Sequence, residues 1–129
     1  MRLLFDTHSF LWARSAPARL SQGARDALLD PDTELHLSVV VTWELVLKVA
    51  KGRLKFAEPL EVILPRMIAA TRARELAVEQ RHALQVARLP LHHRDPFDRM
   101  LIAQAQVEGL TILTADPQFR RYDVEVLAA

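Results

Sequence analysis

Cysteine is absent from the 129 residues. That excludes a disulfide frame, a thiolate zinc site and a cysteine nucleophile. Charge of one sign is not in excess either: 17 basic against 16 acidic residues leave a formal charge of +1. A nucleic-acid binder usually shows a strong basic excess, so the sum does not announce one, although the distribution of charge matters more than its sum. Long hydrophobic runs are lacking too. The longest apolar stretch, Leu35 to Ala50, is broken by Glu44 and Lys48. It is also shorter than the roughly 20 residues of a membrane span. The opening residues turn acidic at Asp6, too early for a secretory signal. A cytoplasmic protein with no membrane segment is the expectation. Glycines number only 3, with no glycine-rich phosphate loop and no G-x-x-x-x-G-K-[ST], which disfavours a nucleotide hydrolase of the P-loop kind.

What is present is a foldable composition, 50% hydrophobic and 26% charged, so global disorder is excluded. The length suits one compact domain over 1–129, with no repeat and no linker to divide it. Short apolar runs alternate with longer helical ones. Leu3-Leu4-Phe5 predicts a buried strand, residues 8–14 a short helix, and Ser21 the cap of a helix ending near Leu29. Leu35-His36-Leu37-Ser38 alternates as a strand does. Residues 40–50 predict a helix closed by Gly52. Glu58-Pro59 opens another, and Pro65 inside it predicts two short helices or one kinked helix. Residues 75–78 form a weak strand pattern and 79–87 a helical one. The clearest helix runs from Asp95 to Glu108, with Asp95 as cap, Pro96 at the first position, Asp98 at the third and Gly109 at its end. Strands over 110–114 and 124–127 follow. Such alternation predicts an α/β domain: a three-layer α/β/α arrangement around a mainly parallel sheet of about five strands.

In an open parallel sheet, ligands bind beyond the carboxyl ends of the strands. Asp6 follows the first strand directly, and Asp116 stands two residues after Thr114. Asp98 lies in the first turn of the Asp95 helix. Each has an ordinary explanation as a helix cap or turn residue. Glu44, among Val40, Val41 and Leu47, could simply pair with Lys48 one turn on. Four such coincidences at one edge are far less expected than any one. Grouped carboxylates repel and raise one another's pKa unless a cation compensates. Oxygen donors without cysteine or spaced histidines point to a hard cation, Mg²⁺ or Mn²⁺. Such ions suit phosphodiester cleavage: they polarise phosphate, lower the pKa of bound water and stabilise the leaving oxygen.

These residues carry a family likeness. Leu4-Phe5-Asp6-Thr7-His8 resembles the opening strand and first acid of PIN-domain ribonucleases, most closely the VapC toxins of bacterial toxin–antitoxin pairs. Trp43-Glu44-Leu45 with Lys48 and Gly52-Arg53-Leu54 resembles the second-acid helix. His93-Arg94-Asp95-Pro96-Phe97-Asp98-Arg99, followed by Leu101-Ile102-Ala103-Gln104-Ala105, is the most specific match. Thr114-Ala115-Asp116-Pro117-Gln118-Phe119 resembles the closing motif. The likeness spans residues 2 to 126 in order and spacing.

The resemblance implies a PIN-like fold and Mg²⁺-dependent endonuclease action on RNA, with Asp6, Glu44, Asp98 and Asp116 as catalytic, metal-binding acids. Asp95 is then a helix cap or stands behind the ligands. Thr7 and Thr114 would hydrogen-bond an acid or a metal-bound water, and Arg94 and Arg99, flanking the third acid, would be the best placed to touch substrate. It also implies a homodimer, a cognate VapB-like antitoxin whose segment wraps the toxin and blocks its site, and higher-order toxin–antitoxin complexes. Two readings of other kinds stand beside it. A PIN-like module could hold RNA or protein without cleaving, and would not depend on its acids. A generic Mg²⁺ phosphohydrolase would act on small phosphoesters and little on RNA. The remaining arginines, among them Arg66, Arg72, Arg74, Arg81 and Arg88, fit solvated faces with local acid partners. His92 and His93 are adjacent and are expected to point different ways. Trp12 and Trp43 fit core or interface anchors better than base-stacking platforms.

Overall fold

A computed structural model describes residues 1–129. Its five strands are β1 (Arg2–Phe5), β2 (Glu34–Ser38), β3 (Arg74–Leu76), β4 (Thr111–Thr114) and β5 (Val126–Ala128). They form one sheet in the order β3-β2-β1-β4-β5, and every pairing is parallel. Parallel neighbours need long crossovers, and α1 (Thr7–Ser15), α2 (Gln22–Leu29), α3 (Val39–Ala50), α4 (Leu60–Thr71), α5 (Gln80–Val86) and α6 (Pro96–Glu108) supply them. The last connection uses a short 3₁₀ helix, Pro117–Arg121. With right-handed crossovers, α1 to α4 cover one face, while α5 and α6, packed on each other, cover the second. The expected three-layer α/β/α domain with a parallel five-strand sheet is the fold that forms.

β1 lies at the centre, with Leu4 in register with His36 on one side and Ile112 on the other. Because helices cover both faces, Leu3, Leu4 and Phe5 are all buried, as central parallel strands are. The same reason corrects a simple inward–outward reading of β2. His36 and Ser38 are buried alongside Leu35 and Leu37; His36 is satisfied by Glu34 Oε1 at 2.9 Å and the Ser38 hydroxyl accepts from Val40 N.

Local signals placed most boundaries. Ser21 caps α2 by accepting from Ala24 N. Asp95 caps α6 by accepting from Phe97 N and Asp98 N. Pro65 does not divide α4, which runs unbroken from Leu60 to Thr71. The edge strands shift by a residue or two, to 74–76 and 126–128. No helix is long and apolar enough to cross a membrane.

α3 ends as expected at Gly52, with φ of 72°. Arg53 N donates to Lys48 O and Gly52 N to Val49 O, the paired closure that consumes the last free carbonyls of a helix. A Cβ at Gly52 would meet nothing within 4 Å, so a substitution there is opposed by backbone strain alone. Gly52→Ala should therefore cost about 1 kcal/mol, measured as a fall in the urea midpoint. A midpoint equal to wild type would show that the left-handed turn carries no strain.

Candidate active site

The sheet reverses its winding direction at β1 and β4, which are neighbours in the sheet though far apart in the chain. At such a switch point the connections part and leave a crevice beyond the carboxyl ends of the strands. Asp6 follows β1 and Asp116 follows β4, so both stand at this edge. α3 and α6 bring further acids: α3 packs against α6, with Trp43 set edge-on against Phe97 at 4.9 Å.

Each acid is held by groups that fix its position. Asp6 is buried and caps α1, its Oδ1 accepting from Ser9 N at 2.8 Å. Its Oδ2 accepts from the Thr114 hydroxyl at 2.5 Å, and Thr114 Oγ1 accepts in turn from Asp116 N at 3.0 Å. One threonine thus ties the first acid to the last. Ser9 secures the same corner from behind, its hydroxyl reaching Leu113 O at 2.7 Å. Thr7 Oγ1 donates to Glu44 Oε1 at 2.6 Å, while Lys48 Nζ lies 3.1 Å from Glu44 Oε2. The Lys48 pairing expected for an ordinary helix acid therefore coexists with a Glu44 turned towards α1. Asp116 is exposed and caps the 3₁₀ helix, accepting from Gln118 N. Asp95 is exposed and spends Oδ1 on the α6 cap.

Asp98 occupies the middle of the group. Its carboxyl is pushed up from the ordinary 3.8 to about 8, first by burial and then by the negative charges of Asp95, Asp116, Glu44 and Asp6. Four acids from four segments of the chain therefore act on one carboxyl, and like charges together with desolvation oppose its ionisation. Perturbation of this kind is concentrated at functional sites. The donor set is oxygen throughout, and a hard divalent cation would relieve the repulsion. The residues present fit such an ion.

The flanking cations are placed differently from one another. Arg94 is exposed. Arg99 is committed inward, donating to Pro90 O at 2.8 Å and to the Tyr122 hydroxyl at 3.1 Å. Lys48, Lys51 and Arg53 line a cavity of about 300 Å³ beside Glu44 and Asp95. Arg66, Arg74 and Arg81 pair with Glu58, Glu34 and Glu79 respectively. Trp12 is half-buried beneath the Arg19 guanidinium, 4.6 Å from the ring centre, and Trp43 is 59% exposed beside Phe97.

The histidines overturn one expectation. His92 and His93 do not diverge: both rings meet Tyr122 edge-on, at 4.9 and 5.4 Å. His93 also reaches Asp98. Tyr122 did not stand out in the sequence, and His93, although it opens the most specific motif, could not be linked to it, because 29 positions separate the pair and no local pattern joins them.

A second cluster lies at the far end of α6, where Glu79, His82 and Glu108 bring ligand atoms within 4.8 Å of one another. No trio at the sheet edge is so close. Hydrogen bonds explain this cluster. His82 Nδ1 accepts from Glu79 N, which leaves the ring proton on Nε2 for Glu108 Oε1 at 2.7 Å. Arg81 engages both carboxylates. Both ring nitrogens are occupied, and the group locks α5 to α6.

Known proteins bear on this geometry. Ribonuclease VapC22 of Mycobacterium tuberculosis is 28% identical over 121 residues, covering 93% of this chain and 91% of the relative. The structure of VapBC2 from Rickettsia felis, bound to a DNA fragment from their promoter, matches with a TM-score of 0.77 at 17% identity over 99% of this chain and 98% of that one. FitAcB from Neisseria gonorrhoeae matches with a TM-score of 0.69 at 21% identity over 97% and 96%. The model of the PIN domain family matches residues 3–125. With a family match that spans nearly the whole chain, the chain belongs to the PIN-domain family.

Proposed function

We propose that this protein is a Mg²⁺-dependent endoribonuclease, the toxin of a toxin–antitoxin pair. The observation that carries the reading is the convergence of Asp6, Glu44, Asp95 and Asp116 on the partly buried Asp98. Likeness to a ribonuclease named VapC22 supplies the substrate class, and likeness to VapBC complexes supplies the partner class, a VapB-like antitoxin. A homodimer acting in the cytoplasm completes the reading.

Asp6, Asp98, Glu44 and Asp116 would hold the cation, with Mn²⁺ a workable substitute. Bound there, it would polarise a phosphodiester and help activate water. The chain's own part is to present oxygen donors already oriented, so that little rearrangement is required when charge develops. Ser9 N and Thr114 fix Asp6, and Thr7 and Lys48 fix Glu44. Asp98 remains protonated near neutrality until a cation compensates its neighbours. The exposed Arg94 and the Lys51 and Arg53 pair stand where they could steady the RNA backbone on either side.

Purified protein given RNA should cleave it with Mg²⁺ or Mn²⁺, lose cleavage in EDTA and regain it when metal is restored. RNA that is bound but left intact would favour the non-cleaving module. Turnover of small phosphoesters without RNA cleavage would favour the generic phosphohydrolase.

A further inference from the structure

The Tyr122 hydroxyl sits among three nitrogens. His93 N donates to it at 3.2 Å and Arg99 Nη1 at 3.1 Å. Neither can do otherwise, since a backbone amide and a guanidinium have hydrogens and no accepting lone pair. The third nitrogen, His93 Nδ1, lies nearest, at 2.7 Å. A third donor there would crowd the phenolic oxygen and leave its own hydrogen without an acceptor. The hydroxyl hydrogen therefore goes to Nδ1. A neutral imidazole that accepts at Nδ1 carries its hydrogen on Nε2, and Nε2 faces Asp98 Oδ2 at 3.2 Å. The direction of the whole chain follows: amide and guanidinium to phenol, phenol to imidazole, imidazole to the Oδ2 of the Asp98 carboxyl group.

The parts of this chain are fixed in place. Tyr122 is buried. Arg99 is anchored on Pro90 O. His93 and Asp98 keep side-chain exposures of only 14% and 17%. The imidazole occupies one carboxylate oxygen of Asp98 and leaves Oδ1 with no hydrogen-bond partner in the chain. Groups that hydrogen-bond a metal ligand in this way fix its orientation, and their loss typically weakens metal affinity.

We infer that His93 is the positioning residue of Asp98: Tyr122 locks it as the Nε2–H tautomer, and its hydrogen bond to Oδ2 reserves Oδ1 for the cation. This rests on the metal-dependent reading given above. It also gives Arg99 a role as an anchor of Tyr122 in place of substrate contact.

The test uses the full chain and two readouts. Nitrogen NMR of the metal-free protein reports the ring tautomer. The expected result is Nε2–H for His93, lost as a single form in Tyr122→Phe. A wild-type ring protonated on Nδ1 overturns the inference, and this measurement stands even if no metal binds and no RNA is cut. Calorimetric titration with Mn²⁺ is the second readout. His93→Ala should weaken binding about 10- to 100-fold. His93→Gln, whose amide can donate from the place of Nε2, should recover most of that loss. Wild-type affinity in His93→Ala, with its melting temperature also unchanged, overturns the inference. So does a loss in His93→Ala that His93→Gln fails to recover while folding normally. If wild type itself binds no Mn²⁺ and leaves RNA intact, the ribonuclease reading fails, and the tautomer result alone decides the relay.

Discussion

Asp98→Asn should lower metal-dependent RNA cleavage by at least about 10²-fold, the size seen when one preorganised electrostatic group is removed from an active site. The same change should make the metal-free protein more stable in alkali. Asp98 titrates near 8 in the folded chain against an ordinary 3.8. The folded state thus holds this proton more tightly than the unfolded chain does. Its contribution to stability is fully present below about pH 4 and is lost progressively as pH rises through about pH 8. Asparagine has no proton to lose. Melting curves in EDTA should therefore slope downward with pH for wild type, with a weaker slope for the variant, and at about pH 8 the variant should melt higher. Adding Mg²⁺ should narrow the gap, because the cation favours the ionised carboxylate that the neighbouring acids oppose. A variant that cleaves like wild type would remove Asp98 from the site. Parallel melting curves would show that its burial and neighbours do not perturb it.

Phe10→Ala should cost about 3–5 kcal/mol, a large share of the roughly 5–15 kcal/mol that holds a domain folded. Phe10 is fully buried, and its ring meets Phe5 edge-on at 5.7 Å and 74°. It projects from the first turns of α1, whose start is capped by Asp6 and holds Thr7. Truncation would leave a cavity against the central strand and also loosen the segment that orients two of the acids. The urea midpoint should fall with its slope unchanged, and cleavage by the folded fraction should fall as well. A loss below about 1 kcal/mol, the ordinary effect of a substitution, would mean that α1 is held by its cap and not by this ring.

The legible parts of this molecule were those written within a few residues. Asp95-Pro96 and Gly109 delimit α6 because a cap, a first-turn proline and a left-handed glycine act on adjacent backbone. Asp6 and Asp116 could be placed at one edge because both follow apolar runs, and a parallel sheet sends all its strand ends the same way. Hydrogen bonds across the fold were not legible. Thr7 with Glu44, Thr114 with Asp6 and His93 with Tyr122 join positions 37, 108 and 29 apart. The sequence offered the two threonines as candidates; their partners depend on tertiary packing. The short edge strands gave weak signals for a related reason. Three residues carry little periodicity, and their placement follows from pairing with β2 and β4.

The tie between Thr114 and Asp6 also has a bearing on the order of events during synthesis. A chain made from its N-terminus presents Asp6 and Glu44 well before Thr114 and Asp116 emerge, with Asp98 in between. Until then β1 lacks its β4 neighbour, Asp6 lacks one of its two hydrogen-bond anchors, and the crevice has one wall missing. Contacts this distant in sequence form late and slowly. The acids are therefore brought together only after β4 has paired with β1, and a fragment that lacks Thr114 leaves Asp6 without its second anchor and the group of acids incomplete.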